Sequence, residues 1–235
     1  ENKQHVTITT TNNTDVFYTT NGDIPDTNDY KYTDTLFFDT TIVLSVSAIS
    51  IENKLNSETI DRTYIFNEDN FDLPVFSIIT DSVNLWDWNS GIYVLGPNAN
   101  PTVPNSGANF WKSWSKLSRL EFFDKNRDKQ AEEYFDLEIH GGRSRSSPQK
   151  SFRLDFKSRY SGNLEYPLFS EKPYISSLNN INLRNGGSWP GNRERIRDGF
   201  LSSLASATHI DFMAYEPCLL YLNGVYWGQY GIREK

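Results

Sequence analysis

Two hairpins constrain the fold of this chain more than any other feature. Apolar residues alternate along 135–139 and again along 152–156, on either side of residues 140–150. Alternation with a period of two is typical of β-strands that bury one face. A second pair of strand-like segments surrounds Asn223-Gly224, a dipeptide that favours a type I′ turn. Both hairpins require antiparallel neighbours, so the pattern excludes a doubly wound parallel sheet.

One helix is predicted between these hairpins, over residues 192–208, with Asn192 as its cap. Its expected buried stripe consists of Ile196, Phe200, Leu201, Leu204 and Ala207. Gly186 and Gly191 have the spacing of a phosphate-binding P-loop, but Asn192 and Arg193 occupy the positions that require Lys and Ser/Thr. The sequence therefore predicts an α+β unit without a P-loop.

Charge and composition limit the possible partners. The chain has 23 Lys and Arg against 30 Asp and Glu, a net charge of -7. This balance argues against a nucleic-acid coat or a general membrane-surface binder, which need a broad basic face. No run of eighteen apolar residues is present, so no membrane span is expected. The single cysteine, Cys218, excludes an internal disulfide and is expected to be buried in a strand.

Positive charge is concentrated locally in the segment HGGRSRSSPQKSFRLDF, residues 140–156, and just beyond it. Lys150 has the same parity as the apolar residues of the following strand, which places an ammonium on the inward face. Burying a lysine costs several kcal/mol unless an anion meets it or the side chain reaches solvent. Gly141 and Gly142 allow a turn whose N–H groups converge, as phosphate sites require. A phosphate clamp and a solvated basic hairpin both fit this pattern.

Residues 1–66 differ from the rest of the chain, because short Thr-, Val- and Tyr-rich stretches alternate with polar turns. The pattern predicts a small all-β sandwich. The stretch VFYTTNGDIPDTNDYKY followed by TTIVLSVSAIS resembles the immunoglobulin-like domain at the C-terminal end of chitobiase and β-hexosaminidase enzymes. That resemblance implies a spacer on a secreted bacterial protein, with sugar contact through Tyr18, Tyr30 or Tyr32 as the alternative. An acidic linker, residues 67–72, follows.

A loop-rich segment with four tryptophans follows the first strand of the second region. These residues are Trp86, Trp88, Trp111 and Trp114. They fit a carbohydrate platform, and they also fit large aromatic side chains that fasten a long loop to a sheet. The second interpretation is favoured, and a polysaccharide partner stays open.

The segments HGGRSRSSPQKSFRLDF, INLRNGGSW, RIRDGFLSSL and LYLNGVYWGQYGIRE occur in the order and spacing typical of the CotH-type spore-coat kinase family. The sequence resembles this family over about residues 73–235. Its members are atypical protein kinases that use ATP and Mg²⁺ or another divalent metal to phosphorylate Ser or Thr of secreted proteins. They occur in spore coats and on bacterial surface proteins. The resemblance implies a kinase N-lobe, an antiparallel sheet with one main helix, in an extracellular or cell-surface protein.

The resemblance also implies roles for individual residues. A kinase lysine points inward and contacts both a helix carboxylate and the ATP phosphates. Lys150 is the candidate for this lysine, with Glu194 or Asp198 as the carboxylate. Further nucleotide- or phosphate-site candidates are Arg143 and Arg145 over the phosphates, Arg197 and Asp198 on the helix, and Glu234 at the end of the last strand. Arg153 and Arg184 are equally compatible with structural salt bridges.

The sequence departs from the family at its C-terminal end. The catalytic and metal-binding acidic residues of the family lie beyond the tyrosine-rich hairpin, whereas this sequence ends at Lys235. Catalytic residues are therefore expected beyond Lys235, no metal ligand is assigned within the chain, and the chain alone is expected to be inactive or nearly so. The alternative is a non-catalytic cell-surface scaffold or carbohydrate-binding protein.

Overall fold

The computed structural model describes residues 4–10, 14–50, 55–66, 72–160, 162–186, 197–206 and 208–234. Within these ranges the strands and α-helices are, in chain order, β1 (Gln4–Val6), β2 (Asp15–Thr19), β3 (Tyr30–Lys31), β4 (Leu36–Phe38), β5 (Ile42–Ser50), β6 (Leu55–Asn56), β7 (Ile60–Tyr64), β8 (Val75–Ile79), α1 (Ser82–Trp86), β9 (Ser115–Phe123), β10 (Lys129–His140), β11 (Ser151–Asp155), β12 (Leu164–Glu165), β13 (Ser177–Leu178), β14 (Asn180–Arg184), α2 (Arg197–Ser206), β15 (Tyr215–Leu222) and β16 (Val225–Arg233). Short 3₁₀ turns occupy Asn109–Trp111 and Arg143–Ser146.

Seven strands of the second region close into a barrel in the order β10-β11-β14-β16-β15-β8-β9. Both predicted hairpins belong to it, β10 with β11 and β15 with β16. Asn223 and Gly224 have φ angles of 50° and 80°, the left-handed values that a type I′ turn requires. The β-rich character expected from the sequence is therefore confirmed.

The barrel differs from the expected all-antiparallel sheet in one ladder. β8 pairs with β15 in parallel, with Val75 opposite Leu219, and this pairing closes the sheet on itself. The other ladders of the barrel are antiparallel. Strand alternation predicts which face of a strand is buried, but it does not identify neighbours that are distant in the sequence.

Aromatic and aliphatic side chains fill the barrel. The side chains of its interior with the smallest exposed fractions include Phe76, Ile78, Leu120, Phe135, Leu137, Phe152, Leu154, Ile181, Leu183, Leu220 and Tyr230. They come from all seven strands, so each strand contributes to one shared core. Each fully buried side chain of this size contributes roughly 1.5–3 kcal/mol relative to its exposed state.

The first region contains a sheet in which β3, β2, β5 and β6 are neighbours and β7 also pairs with β5, together with a separate β1–β4 pair. Its small core contains Val16, Phe17, Val43, Leu44 and Ile49. These strands agree with the predicted all-β character of residues 1–66. The immunoglobulin-like arrangement stays a prediction.

A charged junction connects β7 of the first region with β9 and β10 of the barrel. Its members are Asp61, Arg62, Arg119, Glu121, Lys129 and Glu132. The Glu121 carboxylate is 1% exposed and accepts a hydrogen bond of 2.6 Å from the backbone N–H of Thr63. The two regions are therefore in polar contact. Their division into units 1–66 and 73–235 stays a prediction, and residues 67–71 of the predicted linker lie outside the described residues.

Helix α2 lies within the predicted 192–208, although Asn192, Ile196 and Ala207 fall outside the described residues. The predicted buried stripe is wrong for the described positions, because Phe200, Leu201 and Leu204 are 59%, 56% and 57% exposed. The buried residue of this helix is Gly199.

Gly199 sets the packing distance between α2 and the barrel. A Cβ atom at this position would lie 2.5 Å from the Tyr215 ring. The helix therefore approaches β15 through its smallest residue, and its large apolar side chains face away from the strand. None of the helices in the described part of the chain is long and apolar enough to cross a membrane.

Cys218 lies in the barrel and is fully buried, as predicted. Burial raises the pKa of its thiol, with a smaller contribution from the negative charge of Glu216. Because the thiolate is the reactive species, we expect the folded protein to resist alkylation. Iodoacetamide labelling followed by intact mass should show modification only after denaturant is added; rapid labelling of the native protein would contradict this assignment.

Candidate functional site

The loop between β10 and β11 is held from beneath by Lys150. The Lys150 side chain is inward, as its parity predicted, and the residue is 4% exposed. Its ammonium donates hydrogen bonds to the carbonyl oxygens of Arg145 and Ser147, at 2.6 and 3.0 Å. It also lies 4.0 Å from the centroid of the Phe110 ring and 5.1 Å from that of Tyr93. Lys150 thus fixes the loop onto the aromatic side chains below it.

No ion pair joins Lys150 to a carboxylate of the described residues. Desolvation by burial lowers the pKa of this ammonium to about 8. Of its two predicted partners, Asp198 instead lies 3.4 Å from Arg184, and Glu194 lies outside the described residues. The predicted lysine–carboxylate contact is therefore not formed with Asp198.

The two loop arginines have different environments. The Arg145 guanidinium donates to the carbonyl oxygens of Gly141 and Phe110, at 2.7 and 3.0 Å, so it braces the loop. Arg143 is exposed and forms no ion pair within the described part of the chain. Gly141 has a φ angle of 107°, and a Cβ atom there would lie 2.5 Å from Ser144 Oγ. The loop therefore presents Arg143 to solvent and uses Arg145 internally.

The Tyr93 hydroxyl connects the tryptophan-rich segment with the loop. It donates to the Pro148 carbonyl at 2.8 Å and accepts from the Lys150 N–H at 3.0 Å and the Trp227 indole at 3.1 Å. Trp86 packs against Tyr93, with ring centroids 5.1 Å apart. Trp111 donates its indole N–H to the Pro104 carbonyl.

These contacts favour the interpretation that the tryptophans fasten a long loop. Trp88 is 54% exposed and Trp114 is 36% exposed. Sugar contact by these two side chains stays a prediction.

A second lysine, Lys172, forms the carboxylate pair expected for Lys150. The Lys172 ammonium lies 2.7 Å from Glu234 Oε1 and 3.2 Å from Asp211 Oδ1, and it also donates to the Phe212 carbonyl. Burial alone would lower the pKa of Lys172, but the hydrogen bonds and charges of the two carboxylates raise it. Lys172 lies in a loop without periodicity, so no sequence pattern points to it.

Glu234 therefore has a structural partner. Its carboxylate also accepts the Ala214 N–H at 2.7 Å, which fixes the end of β16 to the start of β15. The pair borders a cleft of about 500 Å³ whose lining also includes Tyr174, Ile175 and Met213. The Lys172–Glu234 pair and the Lys150 loop lie at different places on the barrel.

Helix α2 carries the other two candidates. Asp198 pairs with Arg184 of β14, which supports the salt-bridge interpretation of that arginine. Arg197 is exposed at the first described position of the helix. On the same side of the sheet, Arg233 donates to the Ser202 hydroxyl at 3.2 Å. The helix is thus connected to β14 and β16 through polar side chains.

The strands beneath α2 present a continuous polar row on the outer face of the barrel. The register places its members opposite one another on adjacent strands, in the order Glu138, Arg153, Asn182, Arg233 and Tyr215. Asn182 is 6% exposed. Within the described residues, the buried Nε atoms of Arg153 and Arg233 and the Oδ1 atom of Asn182 have no hydrogen-bond partner. We call Arg153, Asn182 and Arg233 the arginine row.

Residues 137–235 match the family model described as CotH kinase protein. The resemblance predicted from the sequence is therefore confirmed over this stretch, which includes the Lys150 loop, α2 and the arginine row. No curated protein matches the chain. In the described ranges, no group of three or more His, Cys, Asp and Glu side chains is arranged to hold a metal ion.

Proposed function

We propose that this chain, in which residues 137–235 are related to the CotH kinase family, is the nucleotide-binding part of an atypical protein kinase. The proposed reaction transfers phosphate from ATP to Ser or Thr of a secreted or surface protein. The family match is the observation that carries this proposal. An extracellular or cell-surface location is part of it, because the substrates of this family are secreted.

The positive charge of the residues around the β10–β11 loop suits a ligand that carries phosphate. The Lys150 ammonium has only neutral partners among the described residues, and Arg143 is exposed without an ion pair. ATP would supply the transferable phosphoryl group, and a divalent metal such as Mg²⁺ would neutralise charge on its phosphates. We assign no metal ligand or catalytic residue in this chain.

Lys150 is proposed to hold the loop so that Arg143 borders the phosphates. The hydrogen bonds from its ammonium to two loop carbonyls support this positioning role. Arg145 braces the same loop, and Arg197 and Asp198 would orient α2 beside it. Glu234 is proposed to act through Lys172, because their ion pair fixes the end of β16.

The first test is nucleotide binding. Isothermal titration calorimetry of this chain with a non-hydrolysable ATP analogue and Mg²⁺ should show binding, and Lys150→Ala should weaken it by roughly ten- to hundredfold, the size of one or two charge-assisted contacts. Lys125→Gln, which removes an exposed turn charge, is the matched control. Equal affinities for the Lys150 variant and the parent would refute the role given to Lys150.

A non-catalytic scaffold or carbohydrate-binding protein is the second candidate, and the exposure of Trp88 and Trp114 favours it. The same titration distinguishes the two functions. If the chain binds soluble oligosaccharides and no nucleotide with Mg²⁺, the kinase proposal fails for this chain.

A further inference from the structure

We infer that the arginine row is an oxyanion site that takes a phosphoryl group. Buried polar groups in native proteins are nearly always hydrogen-bonded, because an unpaired group keeps the full cost of its desolvation. Among the described residues, two buried guanidinium Nε–H donors without acceptors, on either side of one buried amide, are therefore a concentrated exception.

The register explains how these groups converge. Arg153 on β11 is directly opposite Asn182 on β14, and Asn182 is directly opposite Arg233 on β16. Side chains that face each other across antiparallel strands have Cβ atoms about 4.5–5.5 Å apart. All three project from the outer face, because Leu154, Leu183 and Ile232, their neighbours in sequence, fill the core. Two guanidinium groups thus flank one amide on a rigid part of the barrel.

Charge determines the class of ligand. Arg233 forms no ion pair with any carboxylate in the described ranges, and its Nη2 atom donates to the neutral hydroxyl of Ser202. Arg153 lies within ion-pair distance of two carboxylates of the described residues, 3.9 Å from Glu138 and 3.8 Å from Asp155, so its charge is partly compensated. The donor edge of a guanidinium group matches the oxygens of phosphate in a bidentate arrangement. The row therefore suits an anion with several oxygens.

Asn182 is uncharged, and its unpartnered atom within the described residues is the acceptor Oδ1. Its amide group can donate through Nδ2, and the orientation of its oxygen and nitrogen follows from the hydrogen-bond network around it. A carboxylate at this position would neutralise the two arginines from within the protein. The neutral amide leaves the charge of Arg233 available to a ligand.

The inference rests on the proposed function in one respect, the identity of the ligand: in a kinase, the phosphoryl group would belong to the nucleotide. Free phosphate shares the same chemistry. The site lies on the α2 side of the sheet and adds contacts that the Lys150 loop does not provide. The sequence left Arg153 equally open between the phosphate site and structural salt bridges, and its ion pairs with Glu138 and Asp155 agree with the second interpretation.

The test is an NMR titration of ¹⁵N-labelled chain with inorganic phosphate, with an ATP analogue and with adenosine, each followed through the arginine Nε–H signals. We expect the Arg153 and Arg233 signals to shift with phosphate and with the ATP analogue but not with adenosine. Arg233→Gln should weaken phosphate binding by roughly ten- to hundredfold. Lys125→Gln should leave it unchanged.

Asn182→Asp provides an independent variant of nearly the same shape. Its carboxylate should accept hydrogen bonds from both guanidinium groups, so we expect thermal stability at or above that of the parent together with loss of phosphate binding. This combination also covers the case in which Arg233→Gln fails to fold. If the arginine row is purely structural, Asn182→Asp should raise the stability of the protein and leave any phosphate binding unaltered.

The outcomes separate this inference from the proposed function. If the parent does not bind phosphate through these signals, or if Asn182→Asp binds phosphate as well as the parent, the arginine row is not an oxyanion site. If nucleotide binding is lost in Lys150→Ala but retained in Arg233→Gln, the inference fails and the proposed function stands. Phosphate binding at the row without any nucleotide binding would support the inference and contradict the proposed function.

Discussion

Raising the pH from 8 to about 10.5 should stabilise this protein through Lys150. The pKa of the buried ammonium is about 8 in the folded state, whereas an unfolded lysine has a pKa of about 10.4. Between these values the unfolded chain binds more protons than the folded chain, so the free energy of unfolding increases with pH. The pKa shift corresponds to up to about 3 kcal/mol in the free energy of unfolding. Relative to pH 10.5, the protein is destabilised by this full amount below pH 8.

Comparison with Lys150→Met isolates this contribution, because other groups titrate in the same range. In urea denaturation at pH 7.5, 9 and 10.5, the free energy of unfolding of the parent should rise with pH. That of the methionine variant should change less with pH. The hydrogen bonds from the Lys150 ammonium to the Arg145 and Ser147 carbonyls favour the charged form, so they make the pH-dependent change in stability smaller. Parallel pH profiles for the two proteins would show that Lys150 does not titrate in this window.

Glu121→Ala should destabilise the protein by about 1–3 kcal/mol, the cost of leaving a buried backbone donor without its acceptor. The carboxylate is 1% exposed, and it accepts hydrogen bonds from the Thr63 N–H at 2.6 Å and from Lys129 Nζ at 3.3 Å. Alanine would leave the backbone donor and the nearby cation without this acceptor.

Glu121→Gln and Glu58→Ala are the controls for this measurement. Glutamine keeps an acceptor for the Thr63 N–H, so its cost should be clearly smaller than that of alanine. Glu58 is exposed, and its replacement should change the free energy of unfolding by no more than about 0.5 kcal/mol. Equal stabilities for Glu121→Ala and Glu58→Ala, measured by urea denaturation, would mean that the charged junction does not contribute to folding.

The local structure around Lys150 was predictable from sequence because strand parity is a local property. Lys150 shares parity with Phe152 and Leu154, and all three are buried. Its partners were not predictable, because the 3₁₀ turn at Arg143–Ser146 folds back and offers carbonyl oxygens where a carboxylate was expected. The resemblance identified the correct family for residues 137–235 without determining these contacts.

The arginine row shows the other limit of sequence interpretation. The parity of Asn182 and Arg233 relative to Leu183 and Ile232 places both on the outer face, and this could have been seen in the sequence. Their alignment with Arg153 depends on β14 lying between β11 and β16. No short turn connects β14 to either of these strands, so the sequence gives no hairpin signal for this pairing. The prediction of the buried face of α2 was wrong for a related reason, because Gly199 rather than the apolar stripe contacts the strand.

Closure of the barrel by β8 and β15 has a consequence for the order of folding. Val75 and Leu219 become neighbours only after the chain has extended through more than half of its length. The entropy of joining such distant segments must be overcome before their contact stabilises either one. During synthesis at the ribosome, β8 therefore exposes one unpaired edge until β15 emerges. Over that interval, the exposed edge of β8 can pair with strands of other nascent chains, so self-association competes with barrel closure until residues 219–222 arrive.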